Sequence, residues 1–408
     1  MKKLAKFLIP TALIALTSSV QLMADACEPP CPPPPCEPCC PPRDPCANCA
    51  QLWPTRGPDW IITPNAGPCV SCGVDMFVTA EFIYWTAHED HLGYVLSTGT
   101  NSGSSNQPTA TTPDIPGGKV FHPDFKFKPG FKVGLGFLTD HDGWDVYVNY
   151  TWLHYNNIKG NASSGDGDND ADDTSVALFD EIVGINGLGG KGGVSNPDTA
   201  SAKWKLNFNV IDLELGRNFY VSRNLYLRPY VGFKGTWQKQ HFDVEMVGTT
   251  SFSSGGGGGG NTTVASDGTS TNSVKYWGIG LRSGLDTAWH FTKSFSLVGE
   301  AAVSLLWEQF KSHRFDTAAF TPPTGGADLF ISNINVSDNF HTINPVFELY
   351  MALRWESWFC CDNYHLSIEA GWEEQFWNEQ NQFVQIAVET REGDLSLQGF
   401  TLKFRFDF

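Results

Sequence analysis

The sequence predicts an all-β fold, a transmembrane antiparallel β-barrel of the outer membrane that is preceded by a cysteine- and proline-rich arm. Three observations support it: apolar residues alternate with a period of two after residue 74, long and short connections alternate, and the chain ends on an aromatic strand. A period of two is typical of strands that bury one face only. The chain therefore divides into residues 1–26, 27–73 and 74–408.

The composition excludes two broad classes of protein. Only 17% of the 408 residues are charged, whereas about 25% is usual in soluble proteins. Beyond the first two dozen residues no apolar run approaches the roughly 18–20 residues of a membrane-spanning helix, so a helical membrane protein is excluded. The net charge of -17 and the calculated isoelectric point of about 4.9 argue against nucleic acid as a partner, because phosphates need a basic face.

Residues 1–26 predict a secretory signal peptide. Three lysines in the first six residues precede the apolar stretch Phe7–Val20, and Ala24 and Ala26 are the small residues that a signal peptidase needs. Lipid modification of Cys27 is the alternative, and Asp25 disfavours it because lipoprotein cleavage requires small residues there. The mature chain is therefore expected in a compartment that permits disulfides.

Residues 27–73 predict an extended periplasmic arm. The segment from residue 27 to residue 72 holds nine of the eleven cysteines and fourteen of the 25 prolines, a proline density that neither a helix nor a central strand survives. The spacing of its last two CxxC pairs fits a four-cysteine zinc ribbon, but export favours disulfides over zinc. The odd total leaves at least one thiol for another molecule, so crosslinking of the envelope and a merely knotted arm both remain open. The candidate crosslinking residues are Cys27, Cys31, Cys36, Cys39, Cys40, Cys46, Cys49, Cys69, Cys72, Cys360 and Cys361.

Residues 74–408 predict the barrel. About ten residues per strand cross a lipid-facing band roughly 25 Å tall. Ten stretches reach that length, and weaker alternating pieces set a range of 10–16 strands. The ten stretches are 76–86, 124–138, 144–155, 202–216, 225–247, 274–291, 295–311, 341–357, 364–378 and 396–408.

The connections distinguish a barrel from a sandwich. They alternate between short ones, such as 139–143 and 292–294, and long ones rich in Gly, Ser, Asp and Asn, such as 156–201 and 312–340. Outer-membrane barrels have short periplasmic turns and longer external loops, whereas Greek-key sandwiches have no such regularity. We therefore expect both chain ends in the periplasm and the long loops at the cell surface.

The last strand carries the most specific local pattern. Phe404, Phe406 and Phe408 alternate with charged residues, and the chain ends on the last of them. The pattern resembles the terminal strand of bacterial outer-membrane barrels. The resemblance implies recognition of these three residues by the barrel-assembly machinery.

The residue pattern of several strands also resembles that of a known family. Met76–Trp85, the first strand after a cysteine-bearing N-terminus, resembles the opening of the Legionella-type and chlamydial-type major outer membrane proteins, and Asn224–Lys234 and the last strand are similar too. The resemblance covers roughly 76–408. It implies a pore-forming surface protein in an envelope stiffened by disulfides. Clustering of the cysteines in the arm departs from the chlamydial pattern.

Charged residues on the non-lipid face are the candidate site. In a porin they would line the lumen and set ion preference, whereas across a narrow barrel they would form a satisfied salt-bridge network. The sequence leaves both interpretations open. The candidates for lumen lining and selectivity are Lys126, Lys128, Lys132, Arg228, Lys234, Arg282, Glu300, Glu348, Arg354 and Glu369.

The functional expectation is a porin for passive diffusion of small hydrophilic solutes, crosslinked to the envelope through the arm. The alternative is a structural or adhesive surface protein with a plugged barrel. None of the ten histidines lies in a catalytic signature, so no enzyme is predicted, and no cofactor or metal is implied. The expected partners are outer-membrane lipid, the barrel-assembly machinery, small solutes and other cysteine-rich envelope proteins, and a homo-oligomer is left open.

Overall fold

The computed structural model describes residues 67–68, 70, 75–97, 119–139, 143–163, 178–179, 196–253, 261–321, 331–360, 362–384 and 393–408. The signal peptide and nearly all of the arm lie outside the described residues. The zinc-ribbon and disulfide interpretations of the arm therefore concern residues outside the described ranges, and they stay predictions. Among the described residues no helix is long and apolar enough to cross a membrane.

Ten long strands form the barrel. They are β1 (Met76–Glu89), β2 (Lys128–Leu138), β3 (Trp144–Ser163), β4 (Asn196–Arg217), β5 (Leu225–Ser253), β6 (Asn261–His290), β7 (Phe295–Thr321), β8 (Ile331–Phe359), β9 (Tyr364–Asn381) and β10 (Gly393–Asp407). Each pairs antiparallel with its neighbour in sequence. Short pieces at Val95–Ser97, Lys119–Phe121 and Leu178–Phe179 form a separate small sheet.

The barrel closes between the first and last strands. Thirteen residues of β1 pair with β10, from Phe77 opposite Asp407 to Glu89 opposite Leu395. Met76 and Phe408 exchange two backbone hydrogen bonds at the end of this seam. Closure removes the unpaired strand edges that an open sheet would expose to hydrocarbon. The prediction of a closed ten-stranded antiparallel barrel is confirmed.

The two ends of the barrel differ. The connections 139–143, 218–224, 291–294 and 360–363 are short, and the strand ends that they join lie at the same end as Met76 and Phe408, which we call the short-turn end. The other end is the long-connection end. Four strands, β5 to β8, have 27 to 30 residues, far more than the roughly ten that cross a bilayer. The barrel wall therefore extends well beyond the membrane at the long-connection end, and the strands are longer than the sequence predicted.

An apolar band surrounds the outside of the barrel near the short-turn end. Its side chains point away from the barrel and are about half exposed, as Phe233 (53%), Leu281 (66%) and Leu349 (56%) illustrate. Exposed aromatic residues border the band on both sides. On the long-connection side they are Trp237, Trp277, Trp307 and Trp372, and on the short-turn side Trp289, Phe291, Phe295 and Trp358. Two aromatic girdles around an apolar band are the expected outer surface of a membrane barrel.

Candidate functional site: a charged vestibule inside the barrel

Strand alternation places charged residues inside the barrel at the level of the apolar band. On β5, Val231 and Phe233 face outward, so Arg228 and Lys234 face inward, where they are 9% and 1% exposed. Other strands add acidic side chains that reach the same level, for example Asp212 on β4 and Glu348 on β8. Each strand has one apolar face and one charged face at this level, and because the apolar face points outward, the interior of the barrel is charged.

Arg282 on β6 is the centre of the largest cluster of these ion pairs. Its guanidinium is bound by Glu214 from β4, by Glu348 from β8 at 2.8 Å and by Glu300 from β7 at 3.2 Å. Lys234 lies beside it and contacts Asp212 at 2.7 Å and Glu348 at 2.8 Å. The cluster ties strands from opposite sides of the lumen together.

A second cluster lies nearer the short-turn end. The Arg228 guanidinium contacts Asp145 on β3 at 2.6 Å, and Glu214 and Asp286 at 2.9 Å each. Because Glu214 binds both Arg228 and Arg282, the two clusters form one network.

The opposite wall carries a third group of pairs. The Lys132 ammonium from β2 lies 2.6 Å from Glu373 on β9 and 3.9 Å from Glu81 on β1. On the same wall, Arg354 contacts Glu369 at 2.8 Å. Buried charges of this kind are tolerated only when they are paired and hydrogen-bonded, so each cluster holds its own partners in place.

A polar rim surrounds the short-turn end of the lumen. His365 lies 2.7 Å from Asp407 and 3.8 Å from Glu356, and Glu356 also contacts His290 at 3.1 Å. Gly67, part of the segment that leads into β1, lies at the same rim. The rim joins the last strand β10 to β6, β8 and β9.

These groups surround a cavity of about 310 Å³, which we call the vestibule. It extends from the rim to the level of Lys132 and Gln375. Carboxylates outnumber cations among the residues that line it, nine to seven. They are Glu81, Asp212, Glu214, Asp286, Glu300, Glu348, Glu356, Glu369 and Glu373 against Lys132, Arg223, Arg228, Arg282, Arg354, Lys403 and Arg405. A low-dielectric wall around an acidic excess attracts cations.

Large apolar side chains, with buried polar ones such as Gln238, Glu308 and Asn344 between them, fill the lumen beyond the vestibule, toward the long-connection end. We call this part of the lumen the apolar section. Its largest side chains are fully buried, and they are Trp85, Trp204, Phe208, Phe310 and Trp377. The rings of Phe208 and Trp377 meet edge to face at 5.2 Å between centroids. Packing of this density excludes bulk water. The vestibule therefore ends at the apolar section.

Glu89 is a carboxylate buried beyond the membrane-spanning segments. Glu89, at the end of β1, is fully buried, and the Gln240 side-chain amide donates to it at 3.2 Å. Burial raises the pKa of Glu89 well above its usual value, the hydrogen bond from Gln240 opposes this, and the charges of Asp90 and Asp394 raise it further. Burial also lowers the pKa of His154 at the same end of the barrel.

Most of the sequence-predicted lumen residues lie on the inner face. Lys132, Arg228, Lys234, Arg282, Glu300, Glu348, Arg354 and Glu369 all belong to the ion-pair clusters described above. Lys128 lies at the start of β2 and is half-buried. Their role in ion selectivity stays a prediction.

Lys126 is a correction. Its side chain is 69% exposed and lies 4.0 Å from Asp124. The predicted strand began at residue 124, but β2 begins at Lys128, so alternation does not reach Lys126 and it does not line the lumen.

Sequence reasoning missed two parts of the site. The acidic partners Asp212, Glu214 and Glu373 lie in predicted strands but were not singled out, although alternation with outward Leu213 and Trp372 gives their direction. The apolar section was missed because aromatic residues were assigned to the lipid face. A reversal of polarity along single strands is the signal that could have revealed it.

The predicted crosslinking and assembly residues lie at the short-turn end where they are described. Cys360 is an exposed free thiol in the turn 360–363, whereas Cys361 and the cysteines of the arm lie outside the described residues. Phe404 and Phe406 face outward in the apolar band, and the ring of Phe408 stacks on Phe406 at 5.9 Å. In the part of the chain that the structure describes, no group of three or more His, Cys, Asp or Glu side chains could hold a metal ion.

Comparisons with known proteins identify a family. The family model described as Legionella pneumophila major outer membrane protein precursor matches residues 67–408. No curated protein sequence matches the chain.

Among solved structures, the outer membrane protease OmpT of Escherichia coli is 11% identical with a TM-score of 0.35, over 82% of this chain and 96% of that one. A FadL homologue of Pseudomonas aeruginosa is 9% identical with a TM-score of 0.23, over 82% and 89%. A major outer membrane protein of Thermus thermophilus is 12% identical with a TM-score of 0.22, over 81% and 99%.

Proposed function

The chain belongs to the Legionella major outer membrane protein family, and on that premise we propose that it is a non-enzymatic, pore-forming protein of the bacterial outer membrane that admits small hydrophilic solutes by passive diffusion. The observation that carries the proposal is the vestibule, a cavity of about 310 Å³ lined by charged side chains at the level of the apolar band. A barrel needed only as an anchor could fill this space with apolar side chains at lower cost in desolvation.

The acidic excess of the vestibule supports a preference for cations. Nine carboxylates face seven cationic side chains along its wall. A solute that enters from the short-turn end meets Glu356 at the level of Arg405, and Asp286 opposite Arg228, before it reaches Arg282 and Lys132. The field inside a narrow low-dielectric channel then favours cations over anions.

The apolar section would be the point of highest resistance. Hydrophobic constrictions control conduction by dewetting, so the section would hold the pore at low conductance until its side chains rearrange. The same packing favours a second candidate function, a plugged barrel that serves as a structural or adhesive surface protein. The two functions predict different electrical behaviour.

Planar-bilayer recording of the refolded mature chain tests the proposal. The pore predicts discrete conductance steps and, in a salt gradient, a reversal potential of the sign expected for a cation-preferring channel. Folding is checked beforehand by the shift in gel mobility between unheated and boiled samples. Correctly folded protein that leaves the bilayer silent would contradict the pore and support the plugged barrel.

We further propose that the long-connection end faces the cell surface and that the short-turn end and the arm lie in the periplasm. The placement of Cys360 supports a role in crosslinking, because its exposed thiol lies at the end where the arm enters the barrel. Disulfides from the arm cysteines and Cys360 would then join the protein to other cysteine-rich envelope proteins.

Non-reducing gels of whole envelopes test the crosslinking. High-molecular-weight bands that collapse to the monomer with reductant are expected, and Cys360→Ser should alter their pattern. Ser357→Ala, in the same strand end but without a thiol, is the control. A monomer band that reductant does not change would end the crosslinking proposal and leave the pore untouched.

A further inference from the structure

A row of lysines lies on the outer surface of the barrel toward the long-connection end. Lys239 on β5, Lys275 on β6 and Lys311 on β7 all face outward and are exposed. They are direct neighbours across the strands, since Lys275 pairs with Lys239 on one side and with Lys311 on the other. Three like charges in one cross-strand row repel each other and destabilise the sheet.

The row lies at the edge of the membrane band. Trp237 is two residues from Lys239 on the same face, and Trp277 is two residues from Lys275, so the ammonium-bearing row lies about 7 Å beyond the aromatic girdle along the strands. Both tryptophans are exposed, at 46% and 40%, and the apolar surface of the band begins directly below them. The lysines therefore lie at the depth of lipid headgroups.

Further lysines continue the row onto neighbouring strands. Lys205 on β4 pairs with His241 on β5. The surroundings of that histidine show the local charge: burial lowers its pKa, Asp243 opposes this, and the nearby Lys205, Lys275 and Lys239 lower it further. Lys203 on β4 is exposed and pairs with Lys159 on β3. The positive surface thus spans five adjacent strands.

A carboxylate of the protein faces the positive surface at its β4 side, where Asp243 on β5 pairs across the strands with Lys203. Among the described residues, Lys239, Lys275 and Lys311 form no ion pair with a carboxylate, whereas the inward Lys132, Lys234 and Lys403 each contact at least one. The girdle level on the other side of the barrel has Glu374 facing outward on β9. The lysines are therefore concentrated on one side of the barrel, where repulsion among them needs an external anion.

We propose that the lysine row, defined as Lys239, Lys275 and Lys311 with Lys203, Lys205 and Lys159 beside it, binds the phosphate groups of the phosphorylated glycolipid that forms the outer leaflet. Lysine ammonium groups bind phosphate as compact point charges, and their stems can lie along the apolar wall. The exposed girdle and the band below it would contact the acyl chains of the same lipid. The assignment to the outer leaflet rests on the proposed orientation of the barrel.

Binding of lipid A to the folded full-length mature chain in nonionic detergent tests the proposal. The variant K239Q/K275Q should weaken binding of bisphosphorylated lipid A by about thirtyfold, on the basis of roughly one kcal/mol for each lysine near a lipid phosphate. The control K293Q removes an exposed lysine at the short-turn end, away from the row, and should bind like the parent chain. Gel mobility before and after boiling confirms that both variants fold.

Two further ligands define the outcome. Dephosphorylated lipid A should bind the parent chain at least as weakly as bisphosphorylated lipid A binds the variant, and phosphatidylglycerol should bind more weakly than lipid A. Equal binding of lipid A to parent and variant, or equal binding of the parent chain to all three lipids, would overturn the proposal.

A tag inserted at residues 255–260 of the longest glycine run reports orientation separately, by its accessibility to antibody on intact cells. An accessible tag with no lipid A binding overturns the lysine row alone. A protected tag overturns the orientation and with it the assignment to the outer leaflet, while the bilayer recording still decides the pore.

Discussion

Lys234 illustrates at the residue scale how the barrel tolerates charge in its interior. The side chain is 1% exposed, yet its ammonium lies between the carboxylates of Asp212 and Glu348 at 2.7 and 2.8 Å. Removing one partner of a buried pair costs about 3–5 kcal/mol, because the other charge is left uncompensated, whereas replacing the whole set by apolar residues is often neutral. The network is therefore weak evidence for a role in stability alone. The presence of the ion-pair network is more simply explained if the lumen must hold water.

Glu89 makes stability depend on pH. Because burial raises its pKa in the folded barrel well above the value of 4.5 for the free group, the folded state holds this proton more tightly than the unfolded chain does. The resulting stabilisation is present below pH 4.5 and is lost as the pH rises through the folded pKa. Glu89→Gln stays neutral and keeps a polar partner for Gln240. It should raise the free energy of unfolding at pH 8 and have little effect near pH 4.

Urea unfolding at the two pH values, followed by tryptophan fluorescence, measures this difference. Glu245→Gln, on the exposed outer face of β5, removes the same charge from water and should change stability little at either pH. An equal gain from Glu89→Gln at both pH values would show that its ionisation does not control stability.

At the scale of the strand, β4 explains why the site could be predicted only in part. From Trp204 to Val210 the even positions are apolar and inward, whereas from Ile211 to Leu215 the odd positions are apolar and outward. The register with β5 is continuous across this change, so the strand does not shift. The reversal marks the height at which the surroundings change from lipid to water and the interior from charged to apolar.

The sequence contained this information, but counting apolar positions does not distinguish the two faces. Alternation was enough to predict ten strands, their closure and the inward direction of residues such as Arg282. It did not predict which aromatic residues point inward. Alternation alone does not distinguish Trp204 from Trp237, and the polar residues near them, Lys203 and Lys239, have to be considered as well. The partner of each charge could not be predicted either, since partners such as Lys132 and Glu373 are 241 residues apart.

Gly232 on β5 is required by the close approach of a neighbouring strand. A Cβ atom at this position would overlap the backbone carbonyl oxygen of Leu213 on β4, which cannot move without breaking the β4–β5 ladder. Gly232→Ala should therefore destabilise the barrel by about 1–3 kcal/mol, the usual range for overpacking. Gly235→Ala is the matched control, because its Cβ would meet only the Ile211 side chain at 3.2 Å.

Refolding yield and urea unfolding in detergent compare the two glycine variants. The larger loss is expected for Gly232→Ala. If both variants unfold at the urea concentration of the parent chain, the approach of β4 to β5 is looser than the structure describes, and the packing argument for Gly232 fails.

For the whole molecule, the lumen consists of two parts in series. The vestibule holds charged side chains over the height of the membrane, and the apolar section holds packed aromatic and aliphatic side chains, with some buried polar groups, over the height of the extended wall. Each part alone is a familiar solution, since a small barrel can fill its interior with side chains and a larger one can hold water. On the proposed pore function, their combination in one barrel places the barrier to permeation beyond the apolar band rather than within it.

On the proposed pore function, this arrangement makes conductance depend on aromatic residues of the apolar section. Trp204→Ala with Trp377→Ala removes two fully buried indoles from the apolar section and should extend the wet lumen upward, so single-channel conductance should increase severalfold. Truncation of buried aromatics costs about 3–5 kcal/mol each, and gel mobility before boiling must therefore show that the barrel is folded.

Trp237→Ala, on the lipid face, and the milder Trp377→Phe are the controls and should leave conductance near that of the parent chain. A folded double variant with unchanged conductance would mean that the apolar section is not the barrier, and the resistance would then have to lie in the ion-pair clusters around Arg282.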